Sequence, residues 1–278
     1  MFLKWQSEEL KNLDFKYLKA LEASIAASEK IIEIYNEGFD SITKDDGSPL
    51  TKADLASTEI IGAFLEPLNI PITGEETEKI DFEERQNWDE CWCIDPLDGT
   101  KEFISRNGEF AVNIALIKNN EAIFGLIASP VNRNIIFGSK ETGVYLLNFE
   151  DFQTPENWLK IEEPSEINYP LVMTSSRSHY SGPLLEFIQE LELISDKIEF
   201  SKKGSSLKFF DLAQGKADAY PRFAPTMEWD IAAGQAILEA LGGCVYDADT
   251  KQPLRYNKAN LTNPFFIAKT KPLLEKLP

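Results

Sequence analysis

Histidine and cysteine are scarce in this sequence, which has one histidine, His179, and three cysteines in 278 residues. Three cysteines are too few for a disulfide framework. The Cys91-x-Cys93 pair, with a single histidine in the whole chain, also lacks the usual four-ligand zinc pattern. We therefore expect the cysteines to be small buried residues in a reducing compartment.

Basic residues are also in deficit, because 28 Lys and Arg stand against 46 Asp and Glu, for a net charge of −18. This balance argues against a protein that binds nucleic-acid polymers, which needs a basic face. It argues less strongly against docking on an anionic membrane. Taken alone it would also exclude phosphorylated small molecules, but acidic side chains can hold metal ions that reverse the local charge.

Long apolar runs are absent as well. No stretch of ~20 apolar residues exists, so no membrane span is expected. Residues 1–10 contain no apolar core of signal-peptide length. We expect a cytoplasmic location. Loose association with the inner membrane face and the choice between monomer and homodimer remain open.

The composition, 43% hydrophobic and 27% charged, is that of a folded protein with a sizeable core. Apolar spacing over residues 13–35 predicts an amphipathic helix, and a second helix begins near Thr51 and ends before Pro67. Four later apolar stretches predict an antiparallel sheet. They cover residues 110–118, 122–128, 135–138 and 143–148.

The polar, unpatterned residues 149–165 predict a boundary between two halves. Residues 1–150 form an N-terminal α+β half with the antiparallel sheet, and residues 166–278 form a C-terminal α/β half. The clearest late helix covers residues 226–241 and is closed by Gly242-Gly243, which suits a left-handed cap. Shorter segments predict strands at 171–173 and 217–220 and helices at 183–193 and 206–214.

The most informative stretch is Asp95-Pro-Leu-Asp98-Gly-Thr100, which follows the apolar run 91–94. Proline fixes this turn and glycine frees its backbone, so both carboxylates and the Leu97 carbonyl can face one space. Oxygen ligands of this type suit Mg²⁺, which also binds phosphate oxygens of a substrate. The alternative is an ordinary strand-to-helix turn with Asp as the N-cap.

Two further acidic residues could complete such a site. Glu75 follows the apolar residues 70–72, and Asp230 opens a predicted helix. Each has an ordinary explanation, because Glu pairs are usually solvated and Asp is favoured in the first turn of a helix. Together with Asp95 and Asp98 they place four carboxylates at element ends, as in a phosphate site with two or three metal ions.

Three segments of the sequence resemble the inositol monophosphatase superfamily of metal-dependent, lithium-sensitive phosphatases. They are Glu75-Glu76, Asp95-Pro-Leu-Asp-Gly-Thr-Lys-Glu-Phe103 and Trp229-Asp-Ile-Ala-Ala-Gly234. Residues 44–54, the Thr100-Lys-Glu-Phe103 ending, Asn107-Gly-Glu-Phe110 and Gly204-Ser-Ser-Leu-Lys208 are similar to the CysQ-type 3′(2′),5′-bisphosphate nucleotidases. The resemblance extends from about residue 13 to residue 267 and implies a layered αβαβα sandwich. Gly74 departs from it, because relatives often have Ser there.

The resemblance also implies roles for individual residues. Two or three Mg²⁺ ions would be held by Glu75, Asp95, the Leu97 carbonyl, Asp98 and Asp230, most of which lie in the N-terminal half. Asp54 and Thr100 would orient and deprotonate the attacking water. Hydrolysis of a phosphate ester requires such an in-line hydroxide and neutralisation of the phosphoryl charge.

A second group of residues would bind the substrate, with Gly99 and Thr100 beside the metal ions. Ser176 and His179 match a family loop near the adenosine, although a lone histidine is more often a structural or surface residue. Gly204, Ser205 and Lys208 lead into a helix, where backbone N–H groups and an ammonium suit an anion. Arg222 is a candidate contact to phosphate or base, and Lys101 and Arg106 are equally explained as solvated surface residues.

The expected reaction is Mg²⁺-dependent removal of the 3′-phosphate from 3′-phosphoadenosine 5′-phosphate, which gives AMP and phosphate and serves sulfur assimilation and nucleotide recycling. The sulfated analogue, 3′-phosphoadenosine 5′-phosphosulfate, remains open as a second substrate. One alternative is a phosphatase for inositol monophosphate or a sugar phosphate, which the Thr-Lys-Glu-Phe and Gly-Ser-Ser-Leu-Lys segments disfavour. The other is a non-catalytic nucleotide-binding protein on this fold, which the presence of Asp54 and Thr100 disfavours.

Overall fold

A computed structural model describes residues 13–38, 41–43, 49–175 and 182–278. The helices in these ranges are α1 Phe15–Glu37, α2 Lys52–Leu65, α3 Phe82–Arg85, α4 Thr100–Ile104, α5 Gly182–Glu192, α6 Lys208–Ala213, α7 Glu228–Ala240 and α8 Lys271–Lys276. The strands are β1 Ser41–Thr43, β2 Pro49–Thr51, β3 Ile72–Gly74, β4 Glu90–Asp98, β5 Ala111–Lys118, β6 Glu121–Ser129, β7 Asn134–Ser139, β8 Gly143–Asn148, β9 Leu159–Ile161, β10 Leu171–Ser175, β11 Ile198–Lys202, β12 Ala219–Arg222, β13 Cys244–Asp247 and β14 Phe266–Lys269. Short 3₁₀ turns cover Glu66–Leu68, Phe149–Asp151 and Pro155–Asn157.

The first sheet contains seven strands in the order β3-β4-β5-β6-β7-β8-β9. Strand β3 is parallel to β4, and the other neighbours are antiparallel. Side chains alternate between the faces of the sheet. In β4, Trp92 and Ile94 pack with α1 and α2, whereas Cys91 and Cys93 pack with α7 on the opposite face. The sheet is therefore covered by helices on both sides.

Helix α7 lies unusually close to the first sheet because glycines remove the side chains between them. A Cβ atom on Gly125 of β6 would lie 2.0 Å from the Ala233 carbonyl oxygen of α7. A Cβ atom on Gly234 would lie 2.1 Å from the ring of Phe209 in α6. These contacts fix the depth of α7, whose first turn carries Asp230.

The second sheet contains five strands in the order β11-β10-β12-β14-β13. Strand β10 is parallel to β11 and β12, and β14 is antiparallel to β12 and β13. Leu184 and Phe187 of α5 and Leu273 of α8 pack on its outer face, while α6 and α7 lie between the two sheets. The result is the αβαβα layering that the resemblance implied.

Helix positions were largely evident from the sequence. Helices α1 and α2 form where the apolar spacing predicts them, and Gly38, with φ of +95°, ends α1. Gly242 has φ of +74°, and the Gly243 N–H donates to the Leu238 carbonyl, so the predicted left-handed cap of α7 is confirmed. The described helices include none with the length and apolarity that a bilayer-spanning segment requires.

Several strands were not predicted. Strands β11, β13 and β14 have four or five residues each, too few to show a clear alternation. The segment 149–165, predicted to be unpatterned, contains β9, which extends the first sheet by pairing with β8. Because α7 contacts both sheets, the division of the chain into two halves stays a prediction.

Candidate active site

A bulge in β4 directs two carboxylates to the same face of the first sheet. Asp95 is paired with Asn113, and Asp98 is paired with Ala111, so β4 advances three residues while β5 advances two. In a regular strand, residues three apart point to opposite faces, but the extra residue brings Asp98 to the side of Asp95. The strand therefore continues through the motif, and does not end at Asp95 as the sequence indicated.

Asp230 joins these two residues from α7. Ligand oxygens of Asp95, Asp98 and Asp230 all lie within 4.8 Å of one another. Each carboxylate is fixed through one oxygen: Asp95 Oδ1 accepts from the Leu97 N–H, and Asp230 Oδ2 from the Met227 N–H. Asp98 Oδ2 accepts from the Ser206 N–H at 2.5 Å. Among the described residues, none donates a hydrogen bond to the second oxygen of any of these carboxylates.

Burial and mutual repulsion change the acidity of this cluster. Burial, followed by the charges of Glu75, Asp98 and Asp230, raises the pKa of Asp95 well above its usual range. Burial and the charge of Asp98 raise the pKa of Asp230 to about 8. Like charges held this close disfavour ionisation, so a cation bound here would relieve the repulsion.

Glu75 lies next to the cluster but is not one of the three residues within 4.8 Å. Its charge contributes to the raised pKa of both Asp95 and Asp230. Its N–H donates to the Ile94 carbonyl, and a Cβ atom on Gly74 would lie 2.2 Å from that oxygen. Gly74 therefore permits the close approach of β3 and β4 that places Glu75 here.

Asp54 and Thr100 form a buried hydrogen-bonded pair. Thr100 Oγ1 donates to Asp54 Oδ1 at 3.0 Å, and Asp54 Oδ2 accepts from the N–H and hydroxyl of Thr51. Asp54 is 1% exposed. Burial raises its pKa, although these hydrogen bonds oppose the shift.

Helix α2 is attached directly to the Asp95–Thr100 segment. Ser57, one turn after Asp54, donates its hydroxyl proton to the Pro96 carbonyl at 2.7 Å. The Leu97 carbonyl, expected to be a metal ligand, lies 3.3 Å from Thr100 Oγ1, whose single proton is directed to the nearer Asp54 Oδ1. The Asp54–Thr100 pair and the carboxylate cluster are therefore fixed relative to each other.

A cavity of about 380 Å³ opens beside the cluster. It is lined by several residues that the sequence predicted for the site, namely Asp98, Gly99, Gly204, Ser205, Lys208, Arg222 and Asp230. Lys101, which could equally have been a surface residue, also lines it. Arg106 does not, since its guanidinium donates to the Tyr35 carbonyl at the end of α1.

Two of the cationic residues that line the cavity, Lys208 and Arg222, were predicted to bind the substrate. Lys208 is buried, and its Nζ donates to the Ser205 carbonyl and lies 5.2 Å from the Tyr220 ring centre. Burial lowers its pKa to about 8, and the charge of Asp98 partly offsets this. The buried Nε of Arg222 has no hydrogen-bond partner within the described ranges. A buried guanidinium N–H without a partner is costly, and the side chain that carries it lines the cavity.

Two of the backbone N–H groups near the start of α6 already donate hydrogen bonds to carboxylates of the protein. The Gly204 N–H donates to Glu109 Oε2 at 2.9 Å, and the Ser206 N–H donates to Asp98. Gly204 and Ser205 therefore shape the cavity wall, and the Gly204 N–H is committed to Glu109. Ser176 and His179 lie outside the described residues.

Sequence reasoning missed Asn113 and Ser206. Asn113 is fully buried, donates to Asp98, and accepts from Ser206 Oγ at 2.5 Å. The available signal was a single amide among the apolar residues 111–117 of strand β5. Its importance depends on the register of β4 and β5, which the sequence alone does not reveal.

The donor set of the cluster fits magnesium. Three carboxylates from two elements meet in a partly buried position, and each has one oxygen fixed by an N–H group. Mg²⁺ prefers carboxylate oxygens and retains sites for water or phosphate. Hydrogen-bonded ligands of this kind are already oriented for a cation.

Comparison with known proteins agrees with this arrangement. The family model described as "Inositol monophosphatase family" matches residues 15–276, which is nearly the entire chain. The chain belongs to the inositol monophosphatase family. The motifs that contain Asp95, Asp98 and Asp230 therefore belong to a member of this family. The fold of the chain is also the layered fold that the sequence resemblance implied.

Relatives within the family indicate a narrower group. The chain is 39% identical to the 3′(2′),5′-bisphosphate nucleotidase CysQ of Shigella flexneri over 245 residues, which cover 86% of this chain and 94% of that protein. It is 38% identical to the protein of the same name from Escherichia coli strain K12, with the same coverage. The crystal structure of CysQ from Bacteroides thetaiotaomicron superimposes with a TM-score of 0.80 at 40% identity, covering 94% of this chain and 99% of that one.

Proposed function

We propose that this protein is a Mg²⁺-dependent 3′(2′),5′-bisphosphate nucleotidase that converts 3′-phosphoadenosine 5′-phosphate to AMP and phosphate. One structural observation carries the proposal: a single cavity is lined both by carboxylates of the cluster, Asp98 and Asp230, and by the cations Lys208 and Arg222. Such a cavity fits a substrate with two phosphates, one beside the metal ions and one against the cations. The names of the CysQ relatives support the same substrate class.

Asp95, Asp98, Asp230, Glu75 and the Leu97 carbonyl would hold the metal ions. When bound, Mg²⁺ neutralises charge on the phosphoryl group and lowers the pKa of water. The protein's own side chains then orient the substrate and the attacking water.

Thr100 and Asp54 would accept the proton of the attacking water. Because Thr100 Oγ1 donates its proton to Asp54, its lone pairs remain available to a water molecule. The proton passes from the water to Thr100 Oγ1 as the hydroxyl proton of Thr100 passes to Asp54 Oδ1. Burial raises the pKa of Asp54 and so makes it a stronger base than an exposed carboxylate.

Lys208 and Arg222 would hold the second phosphate and so select a bisphosphate. At pH 7, below the pKa of about 8, Lys208 still carries its charge, and a bound anion would stabilise that form. Arg222, which lines the same cavity, would add the charge of its guanidinium.

Phosphate release should be compared between 3′-phosphoadenosine 5′-phosphate and inositol 1-phosphate at equal Mg²⁺. We expect kcat/KM to be at least about tenfold higher for the bisphosphate, because only this substrate carries a second phosphate for Lys208 and Arg222. Faster release from inositol 1-phosphate would contradict the substrate assignment. Tight nucleotide binding without any Mg²⁺-dependent release would contradict the catalytic one.

A further inference from the structure

Asn113 is a fully buried amide at the centre of the site, and its hydrogen bonds join three elements. Its Nδ2 donates to Asp98 Oδ2 at 3.2 Å and to the Trp229 carbonyl at 3.3 Å. Its Oδ1 accepts from Ser206 Oγ at 2.5 Å. Both amide hydrogens and the amide oxygen therefore have partners.

The orientation of this amide is determined by its neighbours. The Asp98 carboxylate, when ionised, and the Trp229 carbonyl can only accept hydrogen bonds, so the nitrogen must face them. A reversed amide would place its oxygen against two other oxygens. The amide is therefore held in one orientation.

The two acceptors belong to elements that are far apart in sequence. Asp98 ends β4, whereas Trp229 stands in the first turn of α7, immediately before Asp230. One NH₂ group thus connects two of the three clustered carboxylates, directly at Asp98 and through one peptide unit at Asp230.

We propose that Asn113 is a positioning residue that sets the spacing of the Asp98 and Asp230 carboxylates for a cation of the size of Mg²⁺. This inference rests on the proposed function, because it assumes that the cluster binds Mg²⁺. Mg²⁺ requires nearly ideal octahedral geometry, whereas Ca²⁺ accepts irregular sites with longer bonds. Loosening the two carboxylates therefore reduces affinity for Mg²⁺ more than affinity for Ca²⁺.

The test is calorimetric titration of metal-free protein with Mg²⁺ and, separately, with Ca²⁺, in the absence of substrate. The variant Asn113→Leu keeps a side chain of similar size and removes all three hydrogen bonds. The matched control is Gln235→Leu. Gln235 is also a buried amide, but it lies on α7 and its hydrogen bonds are to Glu239, Leu254 and Tyr256. Thermal unfolding of both metal-free variants measures the cost to the fold.

For Asn113→Leu we expect the Kd for Mg²⁺ to rise by about 10- to 100-fold, the range found when residues that orient metal ligands are replaced. The Kd for Ca²⁺ should rise less, so the preference for Mg²⁺ falls. Gln235→Leu should lower Tm but leave both Kd values within about twofold of wild type, since it touches no ligand. If Asn113→Leu does not fold, Asn113→Ser provides the same comparison.

Three results would overturn the inference. The first is a Kd for Mg²⁺ in the Asn113 variants within about twofold of wild type. The second is an equal loss of affinity for both cations, and the third is an equal effect of Gln235→Leu. A wild-type protein that binds Mg²⁺ but releases no phosphate from the bisphosphate would instead contradict the proposed function, and would leave the role of Asn113 intact.

Discussion

Thr100 Oγ1 donates a hydrogen bond of 3.0 Å to Asp54 Oδ1, joining the first residue of α4 to the first turn of α2. The two residues are 46 positions apart, and both are buried. Ser57 adds a second link from α2 to the Pro96 carbonyl. A proposed proton acceptor is thereby fixed beside the carboxylate cluster.

Breaking this pair should stop catalysis while preserving the metal site. For Thr100→Ala and Asp54→Asn we expect kcat to fall by roughly 10²- to 10⁴-fold, the usual contribution of a general base. Thr100→Ser retains the hydroxyl and should keep most of the activity. Steady-state rates of phosphate release, with Mg²⁺ affinity measured by calorimetry, provide the test. A Thr100→Ala enzyme as fast as Thr100→Ser would exclude the proton relay.

The metal-free protein should lose stability as pH rises from about 4 to about 8. The pKa of Asp230 is raised to about 8 and that of Asp95 is also raised, so across this interval the folded state binds more protons than the unfolded state. The free energy of unfolding then falls with increasing pH. Urea denaturation at pH 5.5, 7 and 8.5 in the presence of a chelator measures this slope.

The variant that tests the origin of this pH-dependent stability is Asp230→Asn, because its amide retains an oxygen that can accept from the Met227 N–H. It should flatten the pH dependence and be more stable than wild type at pH 8.5 without metal. Mg²⁺ should stabilise wild type most at high pH, where fewer protons must leave the cluster. A metal-free wild type that gains stability up to pH 8.5 would contradict the origin of the raised pKa values.

Arg222 should determine the preference for a second phosphate. Replacing it in Arg222→Gln removes a charged contact worth about 1.5–3 kcal/mol, so we expect kcat/KM for 3′-phosphoadenosine 5′-phosphate to fall by about 10- to 100-fold. The rate with adenosine 3′-phosphate, which lacks the second phosphate, should change by less than about threefold. An equal loss of kcat/KM on both substrates would mean that Arg222 does not bind the second phosphate.

Gly125 should be essential for the close packing of α7 on the first sheet. In Gly125→Ala the new methyl group would meet the Ala233 carbonyl, so we expect a loss of about 1–3 kcal/mol or more in the free energy of unfolding. Because α7 carries Asp230, affinity for Mg²⁺ should fall as well. Gly182→Ala is the matched control, since its added Cβ would meet no atom within 4 Å among the described residues, apart from its chain neighbours and the backbone of its own helix. Similar denaturation midpoints for the two variants would mean that α7 can move without cost.

Local sequence signals were sufficient for the parts of the site that depend on single elements. The predicted start of α2 near Thr51 is confirmed, and there Asp54 Oδ2 accepts from the Thr51 N–H as in a capping box. Glycine after Asp98 predicted the turn that leads into Thr100, and Gly99 has φ of +95°. The family resemblance added the roles, and the layered fold was correct.

Features of the site that depend on contacts between separate helices and strands could not be predicted from the sequence. The bulge that turns Asp98 towards Asp95 arises from pairing with β5, and the function of Asn113 arises from the packing of α7. The commitment of the Gly204 N–H to Glu109 likewise joins residues 95 positions apart. No local pattern encodes such contacts, because each partner alone is an ordinary residue in its own element.

The most direct measurement of the central claim is product analysis of 3′-phosphoadenosine 5′-phosphate incubated with wild type and Asp98→Asn across a range of Mg²⁺. From wild type we expect AMP and inorganic phosphate in equal amounts, at a rate that saturates with Mg²⁺ and vanishes with chelator, and from Asp98→Asn almost no product. Adenosine 3′-phosphate as the nucleotide product, release without Mg²⁺, or near-normal turnover by Asp98→Asn would contradict it.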